Sequence, residues 1–253
     1  MAEALTTDAI KVPHGFFTRR GGVSSGAYAT LNCSLSGQDD RDKVLQNRAR
    51  VAQSFGVDPA RLLGLTQVHG ADVVTATEPW GVGQGSRADA MVTNRPGLAL
   101  GIVTADCAPV LFADSGAAIV GATHAGWRGA VAGVLEATVA AMIALGAHAD
   151  SITAAIGPCI GQASYEVGPD LRDAVLADSA DAKAFFVAGA RENRWQFDLT
   201  GYCVARLRAM RVGQISVLGV DTVAEADRFF SHRRRILANG GPIGHQISVI
   251  RTA

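Results

Sequence analysis

One stretch of the chain, residues 98–134, constrains the fold more than any other, because it holds two apolar runs that are each followed by a reactive side chain. The first run, residues 98–103, precedes Cys107, and the second, residues 117–122, precedes His124. Apolar runs of this length with turn residues at their ends are typical of strands covered on both faces. Residues that follow such strands lie at the rim of a packed sheet, so we expect Cys107 and His124 to meet there.

The alternation of segments along the chain predicts an α/β protein. The 253 residues are 48% hydrophobic and 18% charged, which excludes disorder and is enough for a full core. Several connections between the apolar runs are too short for parallel crossovers, so we expect a mixed β-sheet core with flanking helices. No internal repeat or linker divides the sequence, which indicates a single domain over residues 1–253.

Periodicity places the individual elements. It predicts helices over residues 40–55, 129–145, 171–186 and 200–210. Outside the central stretch, it predicts strands over residues 63–70, 89–93, 152–156, 195–199, 215–220 and 246–250. The 63–70 strand would end in His69, and residues 15–26 read as a Gly/Ser-rich loop that carries two arginines.

Charge and cysteine usage limit the partners and the compartment. Lys plus Arg equals Asp plus Glu at 23 each, so no overall field recruits nucleic acid or an anionic membrane. No apolar segment reaches the roughly 20 residues that span a bilayer. The four cysteines are widely spaced without a CxxC pair, and the N-terminus does not resemble a signal peptide. We therefore expect a soluble cytoplasmic protein with free thiols, either a monomer or a weak homo-oligomer.

Three residues are candidates for a metal site, since His69, Cys107 and His124 each follow an apolar run and have small neighbours. Two imidazoles and one thiolate suit tetrahedral Zn²⁺, and three protein ligands leave a position open for water or substrate. Two alternatives stay open on spacing alone. Cys107 and His124 would form a nucleophile–base pair with an oxyanion pocket at residues 126–129, or all three side chains would be ordinary core residues.

Further polar and aromatic residues surround these candidates. Asp106 and Asp89 would either orient an imidazole or carry a proton, or else cap turns. Arg128 follows a strand at the start of a predicted helix and could bind an anion, while Trp127 would stack on a planar base or pack into the core. Arg233 belongs to the most basic run of the chain, which is either a solvated face or directed towards a pocket.

Nine short motifs, met in order over nearly the whole chain, make the sequence closely resemble the laccase-domain family typified by the bacterial YfiH proteins. Members of that family are described as purine nucleoside phosphorylases and formerly as polyphenol oxidases. The matching motifs are residues 15–24, 31–32, 66–70, 88–90, 104–110, 124–129, 157–160, 165–167 and 229–233.

The resemblance implies a fold shared with the catalytic domain of cytotoxic necrotizing factor. It implies zinc at His69, Cys107 and His124, with copper as the other metal associated with the family. We expect these three to be catalytic together with Asp106, which is next to Cys107. The implied activity is phosphorolysis of adenosine, inosine, guanosine and methylthioadenosine, together with adenosine deamination. We expect the substrate contacts to be Arg19, Asn32, Gln67, Arg128 and Arg233. Phosphorolysis needs a phosphate cradle, which Arg19, Arg20, Arg128 or Arg233 could provide.

The sequence departs from the family pattern near its end and leaves rival functions open. Asp221–Thr222 stands where the family commonly has Cys-Thr, and Gly244–His245 stands where Gly-Arg is usual. A copper phenol oxidase is one rival, although oxygen reduction usually needs more ligands than the six histidines here offer. The others are a cysteine amidase that edits peptidoglycan precursors and a non-catalytic protein whose metal site is closed by a fourth ligand.

Overall fold

Strands dominate the computed structural model, which describes residues 2–252. The strands are β1 (Ala4–Leu5), β2 (His14–Phe17), β3 (Leu62–Leu63), β4 (Val73–Thr75), β5 (Ala90–Thr93), β6 (Ala99–Thr104), β7 (Ala108–Asp114), β8 (Ile119–Ala125), β9 (Thr153–Ile156), β10 (Glu166–Val167), β11 (Phe186–Ala188), β12 (Trp195–Phe197), β13 (Gln214–Val217) and β14 (Gln246–Arg251). The helices are α1 (Arg41–Ser54), α2 (Trp127–Val131), α3 (Val134–Ala144), α4 (Pro169–Asp178), α5 (Leu199–Ala209) and α6 (His232–Leu237).

The strands form two large mixed sheets and a small one. The five-stranded sheet has the order β1-β2-β14-β6-β3, and the six-stranded sheet has the order β13-β9-β7-β8-β5-β4. Each large sheet is mostly antiparallel and has parallel pairing at its edges, such as β3 with β6 and β4 with β5. The mixed α/β class is therefore confirmed, although the mixed pairing is divided between stacked sheets and does not form one central sheet.

The two large sheets pack face to face, and helices cover their outer faces. Between the sheets, Leu100 and Ile102 of β6 share a buried cluster with Leu111 of β7 and Val120 of β8. On the outer face of the six-stranded sheet, the core includes Leu135 of α3. This stacking explains why the strands read as continuous apolar runs, since both of their faces are buried.

Helix α1 covers the outer face of the five-stranded sheet and confirms the helix predicted over residues 40–55. The Asp40 carboxylate caps it by accepting a hydrogen bond from the backbone N–H of Asp42 at 2.9 Å. Val51 packs into the core as the periodicity predicts, but Asn47 and Arg48 are buried on the same helix. The buried polar residues show that one side of α1 contacts polar backbone as well as the apolar sheet.

Two predicted helices are shorter than expected. The segment 129–145 is divided into α2 and α3 at Gly133, whose φ of 91° lies in the left-handed region that interrupts a helix. The segment 171–186 is helical up to Asp178 and continues as a 3-10 helix over Ala180–Phe185. The apolar period persists through both breaks, which is why periodicity alone did not reveal them.

The structure also corrects the expected bounds of one strand and one loop. The strand expected over residues 63–70 is limited to β3, because the chain turns before His69, whose φ is 61°. The loop expected over residues 15–26 begins as strand, since β2 extends to Phe17. Leu63, Phe16 and Phe17 are apolar because they are buried. Regular strand pairing ends earlier than expected in the first segment and continues further than expected, to Phe17, in the second.

Two further expectations concern the cysteines and the membrane. Cys33, Cys107, Cys159 and Cys203 are all free thiols, as the spacing predicted. Within residues 2–252, no helix has both the length and the apolar character needed to cross a bilayer.

Candidate metal centre and substrate cleft

His69, Cys107 and His124 converge at one point although they belong to three separate segments. His69 lies in the connection between β3 and β4, Cys107 in the turn between β6 and β7, and His124 near the end of β8. Their nitrogen and sulfur ligand atoms all lie within 4.8 Å of one another. The Cys107 Sγ lies 4.0 Å from the His69 Nε2, and the two imidazole rings meet edge to face with centroids 4.7 Å apart.

Strand pairing explains why Cys107 and His124 meet. Strands β7 and β8 are antiparallel, and Pro109 is paired with His124, so Cys107 lies opposite the end of β8. Gly126 leaves the space between them, because a Cβ there would stand 3.0 Å from both the Cys107 Sγ and the His69 Cδ2. A side chain at residue 126 would therefore occupy the place where the three ligand candidates approach each other.

Asp89 fixes the positions of both histidines. Its buried carboxylate lies 2.8 Å from the His124 Nδ1 and accepts hydrogen bonds from the backbone N–H groups of Val68, His69 and Gly70 at 3.1, 2.9 and 2.7 Å. Burial opposes the charge of Asp89, but these hydrogen bonds and His124 outweigh it and lower the pKa of the carboxyl. The interaction at Nδ1 leaves the Nε2 of His124 as the nitrogen available to a metal.

Cys107 and His124 also set each other's protonation. Burial raises the pKa of the Cys107 thiol, but the charges and hydrogen bonds of His124 and His69 outweigh it and lower the pKa to about 6. Burial likewise lowers the pKa of His124, yet Cys107 and Asp89 raise it to about 9. Cys107 is therefore a thiolate at neutral pH, which is the form of cysteine that binds metals, and His124 is an imidazolium, so a metal at its Nε2 would displace a proton. Two imidazoles and a thiolate are a donor set that fits Zn²⁺.

A cleft of about 410 Å³ opens beside these residues and is lined by aromatic and basic side chains. The Arg128 guanidinium lies 4.3 Å from the centre of the Trp127 ring, and the Arg233 guanidinium lies 5.4 Å from the centre of the Tyr165 ring. The cleft therefore offers flat surfaces for a planar ring and guanidinium groups for an anion next to the candidate metal centre.

Two buried polar atoms in the lining have no hydrogen-bond partner within the described part of the chain. They are the Oγ1 of Thr104 and the Nδ1 of His245. Burial lowers the pKa of His245 to about 4, with a smaller contribution from the positive charge of His124, so its imidazole is neutral at pH 7. Buried polar groups are almost always satisfied, so these two atoms beside the cleft have free hydrogen-bonding capacity.

The hydrogen bonds of Asp106 bear on the alternatives left open for it. Its φ of 89° is in the left-handed region, and its carboxylate accepts hydrogen bonds from the Thr222 hydroxyl at 2.6 Å, the Ser231 hydroxyl at 3.0 Å and the Arg233 backbone N–H at 2.6 Å. These bonds tie the turn before Cys107 to the segment that carries Arg233. Within residues 2–252, Asp106 makes no hydrogen bond to an imidazole, whereas Asp89 bonds to that of His124, so the contacts of Asp106 fit the alternative that it holds a turn.

The five expected substrate contacts differ in location. Arg128, Arg233 and Gln67 line the cleft, but the Gln67 amide is already bonded to both the carbonyl and the N–H of Val103 at 2.8 and 2.9 Å. Arg19 and Asn32 are not among the residues that line it. Arg19 donates to the carbonyl of Ala29 at 2.7 Å and stacks on a phenylalanine ring, which keeps it away from the cleft.

Asn32 is completely buried, and both polar atoms of its side chain are hydrogen-bonded. Its amide donates to the Asp39 carboxylate at 2.9 Å, and its carbonyl oxygen accepts from the backbone N–H groups of Ser34 and His245 at 3.2 and 2.9 Å. The structure thus places Asn32 behind the cleft, where it positions the backbone of two lining residues.

Sequence reasoning did not single out several of the lining residues as site candidates. Tyr165 and His232 line the cleft, and both lie in motifs that the sequence shares with the laccase-domain family. Ser34 also lines it, two residues after the 31–32 motif. Membership of a shared motif was the signal available for Tyr165 and His232, whereas nothing in the residue type or spacing pointed to Ser34.

This geometry defines a class of protein, namely an α/β protein with a His-Cys-His cluster at the wall of a cleft. A family model described as "Multi-copper polyphenol oxidoreductase laccase" matches residues 13–253. The chain belongs to this laccase-domain family.

Two relatives align with most of the chain. It is 42% identical over 247 residues to a "Purine nucleoside phosphorylase" of Deinococcus radiodurans, a match that covers 95% of this chain and 89% of the relative. It is 40% identical over 220 residues to "Purine nucleoside phosphorylase YfiH" of Escherichia coli, with 86% of each chain covered.

Solved structures show the same fold. A DUF152 protein of Neisseria meningitidis superimposes with a TM-score of 0.86 at 35% identity, over 99% of this chain and 97% of that one. The YfiH protein of Bacillus licheniformis superimposes with a TM-score of 0.89 at 30% identity, over 96% of this chain and 93% of that one. The resemblance to the YfiH-type laccase-domain family, expected from the motifs, is confirmed.

Proposed function

We propose that this chain is a purine nucleoside-processing enzyme that holds Zn²⁺ at His69, Cys107 and His124. The observation that carries the proposal is the convergence of these three donors at the wall of a cleft that also presents Trp127 and Arg233. The purine nucleoside phosphorylase names of relatives about 40% identical to it support the substrate class. Zinc at such a site supplies a Lewis acid and an activated water.

The arginines of the cleft would bind phosphate. Arg233 is held in place at both ends, since its backbone N–H donates to Asp106 and its Nη1 donates to the carbonyl of Glu166 at 2.8 Å. A positioned guanidinium binds phosphate through paired, charge-assisted hydrogen bonds, and Arg128 offers a second one. In phosphorolysis a phosphate oxygen bonds to C1′ of the ribose while the bond from C1′ to the purine nitrogen breaks. The electron pair of that bond leaves with the base.

The aromatic residues and the unpartnered polar atoms would bind the nucleoside. Trp127 and Tyr165 offer ring faces of the kind on which a purine stacks. The Thr104 hydroxyl and the neutral His245 would satisfy their free hydrogen-bonding capacity on ribose hydroxyls or ring nitrogens. We propose adenosine, inosine, guanosine and methylthioadenosine as substrates for phosphorolysis, and adenosine for deamination by an activated water at its purine carbon. The four free thiols support a cytoplasmic location.

Product analysis tests the proposal directly. Purified protein is incubated separately with adenosine, inosine, guanosine and methylthioadenosine, in the presence and absence of phosphate, and the products are separated by chromatography. Adenosine is the most informative of the four. Adenine that requires phosphate identifies phosphorolysis, and inosine formed without phosphate identifies deamination. The absence of every purine product from all four nucleosides would overturn the proposed function. Turnover that persists in strong chelator and is lost with iodoacetamide would overturn the metal-dependent chemistry in favour of cysteine catalysis.

The description of the family model favours a phenol oxidase as the second candidate. Blue-copper sites also use two histidines and one cysteine, so the donor set by itself admits copper. Metal analysis of the purified protein, together with a search for a thiolate-to-copper absorption band, separates the two candidates. Bound zinc without that band supports the nucleoside enzyme, while bound copper with oxidation of phenols would support the oxidase.

A further inference from the structure

A second cavity adjoins the substrate cleft and is the feature that the proposed reaction leaves unexplained. This cavity, which we name the side chamber, has a volume of about 450 Å³. It is lined by residues 33–36, 64–67 and 80–84, by Arg41 and Arg48 of α1, and by Leu62, Gly101 and Val103. The side chamber shares Ser34, Ser36, Gln67 and Val103 with the cleft. One molecule, or two neighbouring ones, could therefore occupy both spaces.

Arg48 gives the side chamber a buried positive charge. The residue is only 6% exposed, and within residues 2–252 no ion pair includes it. Its Nη1 donates to the carbonyl of Cys33 at 3.3 Å, and its Nη2 donates to the carbonyl of Leu62 at 3.2 Å. A guanidinium has five N–H donors, so these two bonds leave capacity for a further acceptor. A buried charge without a counter-charge is costly, which favours binding of an anion.

No neighbouring group neutralises this charge. The Cys33 thiol faces Arg48, but burial raises its pKa to about 12 despite the opposing effect of the arginine, so the thiol is uncharged at pH 7. The lining contains a second arginine, Arg41, and no aspartate or glutamate. The side chamber is therefore a concave surface with two positive charges and no negative one, which concentrates anions.

The other walls of the side chamber are rigid and carry hydroxyl groups. The Trp80 indole donates to the carbonyl of Gly64 at 2.9 Å and so fastens the 80–84 loop to the opposite wall. The hydroxyl oxygens of Ser34 and Ser36 lie 3.0 Å apart at the boundary with the cleft. Guanidinium groups combined with serine hydroxyls are well suited to the several oxygens of a phosphate group.

We infer that the side chamber binds a phosphate group through Arg48 and Arg41. The group has two possible sources: inorganic phosphate, or the phosphate monoester of a nucleotide whose base and sugar occupy the adjoining cleft. Only the second source rests on the proposed function. Binding of inorganic phosphate at Arg48 is independent of whether the cleft processes nucleosides.

The Trp80 indole provides a local probe of the side chamber. Its N–H resonance is assigned by comparison with Trp80→Phe and is followed by NMR during titration with inorganic phosphate, AMP and adenosine. Potassium chloride of equal ionic strength serves as the control for screening. The Trp127 indole reports on the cleft in the same spectra, because Trp127 lines the cleft and not the side chamber.

The ligands distinguish the two sources. A saturable shift of Trp80 with inorganic phosphate identifies the free anion. A shift of both Trp80 and Trp127 with AMP, when adenosine shifts Trp127 alone, identifies the nucleotide. If neither phosphate nor AMP shifts Trp80 beyond the chloride control, the inference is overturned, even when the chromatographic assay shows nucleoside turnover. Conversely, a phosphate-induced shift of Trp80 without any turnover supports the side chamber and overturns only the proposed function.

Variants on α1 test the two arginines. Arg48→Met should weaken phosphate binding by at least about tenfold, because it removes a charge-assisted donor. Arg41→Gln, at an exposed position, should weaken it by about threefold. Arg50→Gln removes the same charge from an exposed position on the same helix that does not line the side chamber, and it should leave the dissociation constant unchanged.

Circular dichroism of each variant controls for folding. Should Arg48→Met fail to fold, Arg41→Gln decides the matter. A phosphate dissociation constant that is equal in wild type and Arg41→Gln, or that changes as much in Arg50→Gln, would overturn the assignment to these arginines.

Discussion

Two buried carboxylates, Asp89 and Asp106, lie on either side of the candidate metal centre and organise different halves of the cleft. Asp89 bonds to the backbone of the His69 turn and to the imidazole of His124. Asp106 bonds to Thr222, Ser231 and the backbone of Arg233. Both are aspartates next to strands, so their sequences suggest similar roles. Their hydrogen bonds show instead that Asp89 positions two of the candidate metal ligands, which we call the metal half, and that Asp106 positions Arg233, which belongs to the half proposed to bind substrate.

Because Asp89 and Asp106 bond to different residues, we expect metal affinity and substrate affinity to change separately when one carboxylate is removed. Asp89 contacts a candidate ligand directly, as the carboxylate partners of metal-binding histidines do. Asp106 is adjacent to Cys107 in sequence but directs its oxygens towards the segment that carries Arg233. Loss of the Asp89 carboxylate should therefore weaken metal binding, and loss of the Asp106 carboxylate should weaken substrate binding. Loss of a candidate metal ligand should abolish both metal binding and turnover.

The largest effect is expected from Cys107→Ala. The change removes the thiolate from a three-residue donor set, so zinc binding and nucleoside turnover should both be lost. Metal content and product formation are measured side by side, with Cys203→Ala as the matched control, because Cys203 is a buried thiol that does not line the cleft. A Cys107→Ala protein that remains fully active without bound metal would contradict the assignment of the site.

Asp89→Asn should have the next largest effect, confined to the metal half. The amide presents donors to backbone N–H groups that need acceptors, and it removes the charge beside His124. We expect zinc affinity to fall about 10- to 100-fold. A competition titration with a chromophoric chelator measures it. Unchanged zinc affinity in a folded Asp89→Asn protein would show that the carboxylate does not position the ligands.

The smallest effect is expected from Asp106→Asn. Asparagine tolerates the left-handed φ at this position, so the turn is retained while one of the carboxylate oxygens is lost as an acceptor. Stability should fall by about 1–3 kcal/mol, which thermal denaturation detects as a lowered melting temperature. The KM for phosphate should rise because Arg233 is less firmly held, whereas zinc affinity should equal that of wild type. Weakened zinc binding would contradict the division between the two halves.

Local elements of the fold could be predicted from the sequence, but their stacking could not. The apolar runs and the 40–55 period gave β5, β6, β14 and α1 almost to the residue, because these signals depend on neighbouring positions. The pairing of strands into two facing sheets depends on contacts between distant segments, such as β2 with β14. Nothing in the local pattern indicates that Gly133 interrupts the helix between residues 129 and 145.

The residue types and their positions at strand ends could identify the candidate metal ligands, but the sequence could not predict the hydrogen-bond partners of the surrounding residues. The small neighbours and strand-end positions correctly suggested that His69, Cys107 and His124 would approach one another. Asn32 is polar and belongs to a family motif, yet its groups hold the backbone of Ser34 and His245. The role of Asp106 depends on Thr222, 116 residues further along the chain, and such a partner leaves no local signal.

The β7–β8 hairpin has a consequence for how the site assembles. Cys107 and His124 flank one antiparallel pair joined by a tight turn, so a single local folding event delivers two of the three donors. His69 arrives from a distant segment and is tethered through Asp89, which directly precedes the neighbouring strand β5. An ion coordinated by His69, Cys107 and His124 would crosslink the turn at residue 69 to the β7–β8 hairpin. Its removal should free that turn first and leave the hairpin in place.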